Sequence, residues 1–118
     1  MDHLLTVVEL PHYIRKAEAL LSVEERGTAV DYLAKHPEAG VLLQGTGGIR
    51  KLRWATGNRG KSGGVRLVYY YCDENIPLFM ITVFAKNEKA NLSKAERNDL
   101  AKLTTALRDS YRPKRGTS

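Results

Sequence analysis

Basic side chains are concentrated in one short segment of this 118-residue sequence. Between positions 50 and 66 there are six lysines and arginines and no acidic residue. They are Arg50, Lys51, Arg53, Arg59, Lys61 and Arg66. Clustered cations can bind phosphate groups and offset the negative charge that develops when a phosphodiester is attacked. The segment therefore predicts a phosphate-binding surface, although a solvated sheet face would carry the same charges.

The spacing of these residues assigns most of them to one side of a sheet. Alternate side chains of a strand share a face, so Lys51 and Arg53 project together while Leu52 and Trp54 point the other way, toward a core. In the next predicted strand Arg66 alternates with apolar neighbours in the same manner. A plausible register therefore places Lys51, Arg53 and Arg66 on one surface.

The loop between these two strands invites a different interpretation. Residues 55–62, ATGNRGKS, nearly match the phosphate-loop pattern G-x-x-x-x-G-K-[ST], with alanine at the first glycine position. That pattern requires a buried parallel strand before the loop and a helix after it, whereas both neighbours here are predicted to be strands. We therefore do not predict an NTPase. The backbone N–H groups of the loop and Lys61 can still contact an RNA phosphate.

The histidines and the cysteine form no catalytic or metal-binding pattern. His3, His12 and His36 all precede the basic segment and contain no helical i,i+4 pair. Cys72 is the single cysteine, so no intramolecular disulfide forms and a small buried role is expected. No metal and no cofactor is predicted, and a reducing cytoplasmic location is expected.

Length and composition predict one globular domain. Hydrophobic residues make up 42% and charged residues 27% of the chain. We expect the domain to cover residues 1–112 and to be followed by a basic, frayed tail at 113–118. The net charge of +6 favours a polyanionic partner. Neither a signal peptide nor a membrane-spanning segment is predicted, because the longest nearly apolar stretch, 76–85, is too short to cross a bilayer.

The elements that position the basic segment follow from local patterns. A β-branched run at 4–9 predicts a strand, and Pro11 suits the first turn of a helix. S-x-x-E capping boxes begin two further helices, at 22–25 and 93–96, and Pro37 ends the earlier one near His36. Between these helices, GIRKLRWA, GGVRLVYYYC and PLFMITVFA predict three strands, with Tyr69, Tyr70 and Tyr71 mostly in the core. The predicted fold is α+β, in the order β-α-α-β-β-β-α, with a hairpin-connected antiparallel sheet.

The motifs resemble those of a known family. The run GTGGIRKLRWATGNRGKSGGVRLVYYY, followed by ITVFAKNEKANLSKAE, resembles the RelE/ParE superfamily of type II toxins, and most closely its HigB-like branch. The resemblance covers roughly residues 40–105 and implies a RelE-like fold. It also implies a small toxin that a cognate antitoxin neutralises, and we expect that antitoxin to be a small helix-turn-helix protein. In RelE and HigB members the toxin enters the ribosomal A site and cleaves mRNA, whereas ParE-like members poison DNA gyrase.

The resemblance also implies roles for individual residues. Arg66 matches the strand arginine near the scissile phosphate, and Lys51 and Arg53 match the basic strand before the loop. Lys86 matches the lysine of the K-N-E motif, whereas Phe84 stands where many relatives have tyrosine. Further contacts with RNA or the ribosome are expected at Arg50, Arg59, Lys61, Asn87 and Lys89.

These observations favour a ribosome-dependent, metal-independent mRNA endonuclease. RNA carries its own nucleophile, the 2′-OH, so Lys51 or Lys86 would exchange protons while Arg53 and Arg66 hold the phosphate oxygens. Which lysine acts as base is left open. Two alternatives remain, a gyrase-inhibiting toxin and a non-catalytic RNA-binding module. An acidic antitoxin segment is expected to cover the basic or apolar surface, and no membrane partner is expected.

Overall fold

Strands and helices follow one another in the predicted order. The structure is a computed structural model that describes residues 4–56, 64–86, 88 and 92–111. Its elements are β1 (Val7–Glu9), α1 (Pro11–Leu20), α2 (Val23–Lys35), β2 (Val41–Leu42), β3 (Ile49–Trp54), β4 (Val65–Tyr70), β5 (Leu78–Ala85) and α3 (Lys94–Tyr111). The α+β fold class and the β-α-α-β-β-β-α order are confirmed, with β2 added to them.

The strands form one sheet in the order β1-β5-β4-β3-β2. The three central strands are antiparallel neighbours joined in sequence, as the hairpin prediction requires. Two pairings were not predicted: β1 is parallel to β5, and the two-residue β2 is antiparallel to β3. A two-residue strand has no periodicity to recognise, and a run of apolar residues does not specify its partner strand. The strand predicted at 4–9 is shorter than expected.

The helices begin where their caps predict. Pro11 is the first residue of α1. At α2 the hydroxyl of Ser22 accepts a hydrogen bond from the N–H of Glu25, and the Glu25 carboxylate accepts one from the N–H of Ser22. The same reciprocal pair joins Ser93 and Glu96 at α3. These caps satisfy backbone donors that have no partner inside the helix.

The two faces of the sheet pack against different helices. On the face that we call the α1–α2 face, buried residues of the helices such as Tyr13, Ala17 and Leu33 pack on Leu67 and Met80. The opposite face, which we call the α3 face, is covered by the leucine stripe of α3. The stripe consists of Leu100, Leu103 and Leu107, and it packs on Ile49, Val68, Tyr70 and Phe79. No helix in the described ranges is both long and apolar enough to cross a membrane.

The turn before β3 is fixed to α3 by polar contacts. The Thr104 hydroxyl donates to the carbonyl oxygen of Thr46 at 3.1 Å, and both threonines are buried. The Arg97 guanidinium donates to the carbonyl oxygen of Gln44 at 2.7 Å. Gly47 has a φ of 78°, and a Cβ there would lie 2.5 Å from the Thr104 hydroxyl, so a side chain does not fit. The GTGG sequence therefore allows α3 to approach the start of the basic strand closely.

Candidate nucleic-acid interface

Arg53 and Arg66 form the centre of the candidate site. They are directly opposite each other in the antiparallel pair β3–β4. Directly opposite residues of such a pair project from the same face, with Cα atoms about 4.5–5.5 Å apart. Two guanidinium groups therefore project side by side from the α3 face, which is the arrangement that can hold one phosphate from two sides.

Lys51 extends this pair along the same face. It lies two residues before Arg53, which in a strand is a separation of about 7 Å, and opposite Val68. Within the described ranges the structure has two ion pairs, Lys16 with Glu88 and Arg26 with Glu9. Neither pair includes Lys51, Arg53 or Arg66. We call Lys51, Arg53 and Arg66 the cationic row. The prediction that the three share a surface is confirmed by the strand register.

Lys86 lies at the end of the neighbouring strand. It is exposed and follows β5 directly, two residues after Phe84. Phe84 is the cross-strand partner of Arg66 and is buried. The chain therefore brings Lys86 to the end of the sheet at which the cationic row lies. The position at which the resemblance implied a tyrosine carries the apolar ring of Phe84, which has no proton to transfer.

Arg50 lies on the other side of the sheet. It is opposite Tyr69, on the α1–α2 face, and its guanidinium donates to the carbonyl oxygens of Glu38 at 3.2 Å and Gly40 at 2.9 Å. The structure therefore does not bring Arg50 together with the cationic row. Its predicted RNA contact stays a prediction, and its visible contacts hold the segment that precedes β2.

Four other residues that were predicted to contact RNA lie outside the described residues: Arg59, Lys61, Asn87 and Lys89. Most of the phosphate-loop-like segment 55–62 also lies outside them. The elements on either side of that segment are described. They are the antiparallel neighbours β3 and β4, not a parallel strand followed by a helix. The phosphate-loop interpretation is therefore contradicted by the fold, as the sequence context predicted.

The tyrosine run is core, as predicted for most of it. Tyr69 and Tyr70 are buried, and Tyr71 is half-buried. Burial raises the pKa of Tyr70 to about 12, with the neighbouring Cys72 adding to the shift and Arg108 opposing it. A phenol with this pKa stays protonated at neutral pH and cannot act there as a general base.

A cavity beside the cationic row was not predicted. It has a volume of about 350 Å³ and lies between the start of α1, the α3 face of the sheet and the start of α3. Its lining includes His12 and Lys16 from α1, Phe84 from β5, and Asp99 from α3. These residues come from separate parts of the chain, so no local sequence signal could have found them together.

A β-bulge shapes the floor of this cavity. Val68 pairs with Thr82 but Tyr69 pairs with Met80, so Ile81 is an extra residue in β5. A bulge of this kind interrupts the strict alternation of side chains. Ile81 and Thr82 are consecutive in sequence, and both line the cavity.

Fold and site together define a small α+β domain whose sheet carries a row of cations beside an apolar region on one face. Comparison with known proteins agrees. Residues 34–114 match the family described as the RelE toxin of the RelE / RelB toxin-antitoxin system. A structure of the Escherichia coli toxin RelE, an arginine-to-alanine double mutant in the free state, has a TM-score of 0.56 at 23% identity. That comparison covers 86% of this chain and 98% of the RelE chain.

The family match covers more than half of the sequence, so the chain belongs to the RelE toxin family. It is the toxin component of a toxin-antitoxin system, as the resemblance implied. The structural likeness confirms the RelE fold. The closer assignment to the HigB-like branch stays a prediction.

Proposed function

We propose that this toxin is a metal-independent endoribonuclease that cleaves mRNA in the ribosomal A site. The observation that carries the proposal is the pairing of Arg53 with Arg66 on the face that also presents Lys51. Like charges directly opposite each other destabilise a sheet. A pair placed in this way is therefore best explained by an anion that binds between the two guanidinium groups.

The proposed reaction uses groups of the RNA and cations of the toxin. The 2′-oxygen attacks the adjacent phosphorus, the bond from phosphorus to the 5′-oxygen breaks, and a 2′,3′-cyclic phosphate forms. A lysine amine takes the 2′-OH proton, and a second, protonated lysine gives a proton to the leaving 5′-oxygen; Lys51 and Lys86 are the candidates. Arg53 and Arg66 offset the charge that grows on the phosphate oxygens.

The ribosome would supply what the toxin surface lacks. The cationic row can hold phosphate oxygens, but these cations by themselves do not fix the 2′-oxygen of a flexible RNA in line with the bond that breaks. The expected consequence is slow cleavage of free RNA. An mRNA already held in the A site would be cut much faster, because its bases and backbone are fixed before the toxin binds.

The finer family features belong to the same proposal. We place the protein in the cytoplasm and in the HigB-like branch, with a small helix-turn-helix antitoxin as partner. An acidic antitoxin segment would be attracted by the net charge of +6. Association measured at low and high ionic strength tests this attraction, and a rate that does not fall at high salt contradicts it.

The experiment is cleavage of a defined message in a purified translation system. We expect cuts within the A-site codon that leave a 2′,3′-cyclic or 3′-phosphate end, and we expect 2′-O-methyl groups in that codon to prevent them. Arg66→Ala should reduce the rate by about 10²- to 10³-fold, because it removes a group that stabilises the transition-state charge. Arg15→Ala, a matched change at an exposed position of α1, should leave the rate unchanged.

Three outcomes would contradict the proposal. An intact message together with blocked gyrase-dependent supercoiling would support the gyrase-inhibiting alternative. RNA binding without cleavage would support the non-catalytic binding module. Equal loss of rate in the Arg66 and Arg15 variants would remove the assignment of the cationic row as the site.

A further inference from the structure

The cavity next to the cationic row is apolar at its base and charged at its rim. Val68, Ile81 and Phe84 are buried and form part of the base, and Leu100 of α3 closes one side. The charged residues of the lining are His12 and Lys16 from α1, Glu88 from the turn after β5, and Glu96 and Asp99 from α3. A concave site with apolar walls and a few polar groups at its edge is the usual form of a small-ligand pocket.

The strand register places this cavity within one nucleotide of the proposed phosphate site. Phe84 is the cross-strand partner of Arg66, and Val68 is the cross-strand partner of Lys51. Both cavity residues are therefore one strand, about 4.8 Å, away from a member of the cationic row and on the same face. A nucleotide whose phosphate is held by Arg66 would have its base close enough to enter the cavity.

The carboxylates at the rim would not help to bind a phosphate. Two of them have local structural roles: Glu96 caps α3, and Glu88 accepts a hydrogen bond from the N–H of Ala85 and forms an ion pair with Lys16. Asp99 has no such role, because it makes no hydrogen bond or ion pair with the residues that the structure describes. A carboxylate accepts hydrogen bonds only, so its natural partner in a nucleotide is an amino group of the base.

We propose that this cavity binds a nucleobase next to the cleaved bond and selects bases that carry an exocyclic amino group. Asp99 accepts a hydrogen bond from that amino group, and the apolar base of the cavity packs against the ring. At C4 uracil has a carbonyl oxygen where cytosine has an amino group, so at this position it would place an acceptor against the carboxylate. The proposal rests on the proposed function, because cleavage is what reveals the preference.

Cytosine and uracil provide the sharpest test. They have the same ring size and differ at C4, where one has an amino group and the other a carbonyl oxygen. Messages would carry either base at each of the three codon positions in the A site, and cleavage rates would be compared in the purified translation system. For the wild-type toxin we expect a preference of about tenfold or more for cytosine at one position.

Variants separate this cavity from other sources of preference. Asp99→Asn offers a donor as well as an acceptor, so the preference for cytosine at that position should fall to about twofold or less. Asp109→Asn, the same change further along the exposed side of α3, should keep the wild-type preference. Asp99→Asn should also raise the cleavage rate of the message that carries uracil. A general loss of stability would not produce such an increase.

The two proposals fail in distinguishable ways. Cleavage with equal rates for cytosine and uracil at every position overturns the cavity assignment and leaves the nuclease in place. A preference that Asp99→Asn does not change assigns the selection to the ribosome and likewise overturns it. Absence of cleavage with any message overturns the nuclease proposal, and with it the cavity assignment.

Discussion

The two faces of the sheet are built from the same strands but differ in what they bury. On the α1–α2 face Leu67 and Met80 are fully buried beneath two helices. On the α3 face, α3 is the helix that the described residues place against the sheet, and the row formed by Lys51, Arg53 and Arg66 lies beside the part that it covers. One face thus supplies most of the apolar burial on which folding depends. On the α3 face, part of the sheet carries the exposed or half-buried cations of the cationic row in place of buried apolar residues.

The boundary between these two uses falls between adjacent residues. Arg66 projects from the α3 face toward the proposed phosphate, and Leu67 points into the core of the α1–α2 face. Strand geometry makes this separation unavoidable, because successive side chains point to opposite faces. A substitution at Arg66 should therefore lower activity with little effect on stability, whereas a substitution at Leu67 should lower stability with little effect on activity.

The largest expected effect on stability is that of Leu67→Ala. Leu67 is 0% exposed, and truncating a buried leucine costs about 2–5 kcal/mol, because apolar contacts are lost and a cavity remains. Denaturant unfolding would measure this loss. Cleavage per folded molecule should change little, in contrast to Arg66→Ala. A Leu67 variant that loses activity while it keeps its stability would mean that the two faces are not separate.

The division of faces could be predicted from sequence, and the pairing of strands only in part. Alternation places Lys51 and Arg53 on the same face whatever their partner strand is, so this part of the site could be predicted from the sequence. The parallel pairing of β1 with β5 depends on which strand forms the edge of the sheet that β1 joins. That choice is determined by packing over the whole chain and not by the local sequence. Arg50 shows the opposite limit: its charge suggested a ligand, but its partners are backbone carbonyls that no local pattern reveals.

A smaller effect is expected for Tyr69→Phe on the α1–α2 face. The Tyr69 hydroxyl accepts a hydrogen bond from the N–H of Gly40 and donates one to the carbonyl oxygen of Pro37, both at 2.8 Å. Removing it leaves two backbone groups without their partner, at a cost of about 1–3 kcal/mol. Tyr13→Phe is the control, because the buried Tyr13 hydroxyl makes no hydrogen bond with the described residues. Equal losses in the two variants would contradict the assigned role.

Alkaline pH should weaken the α1–α2 face through Tyr13. Burial raises the pKa of this phenol from 10.0 to about 12, with Glu9 adding to the shift and Arg26 opposing it. The folded state therefore favours the neutral phenol, and its contribution to stability is complete below pH 10 and is lost as the pH rises from 10 to 12. Tyr13→Phe should show a shallower loss of unfolding free energy over this range. Parallel curves for the two proteins would show that Tyr13 titrates normally.

The cavity illustrates why some functional geometry escapes sequence reasoning. In the sequence Phe84 differs from its apolar neighbours only in standing where the resemblance implies a tyrosine, and Asp99 carries no signal, because a single acidic residue on a helix is usually solvated. Their proximity depends on the bulge at Ile81 and on the position at which α3 packs. Neither feature has a sequence signature as clear as a capping box.

The smallest expected effect tests the cationic row itself. Arg53 and Arg66 are like charges in direct opposition, which destabilises a sheet by about 0.2–1 kcal/mol. Arg53→Thr removes the repulsion and introduces a residue that suits strands, so it should raise the unfolding free energy by that amount. Lys51→Thr is the matched control on the same face, because the cross-strand partner of Lys51 is Val68 and no directly opposed like charge is removed. Both variants should lose cleavage.

Salt provides a second measure of the same repulsion. Exposed charges are screened over about 10 Å at 0.1 M ionic strength, so raising the salt concentration should narrow the difference in stability between Arg53→Thr and the wild-type protein. The difference between Lys51→Thr and the wild type should respond less. A gain in stability from Arg53→Thr, combined with a loss of cleavage, would mean that the sheet retains a destabilising pair for its ligand. No gain at low salt would mean that the two guanidinium groups do not repel each other, and the main support for a bound phosphate would be lost.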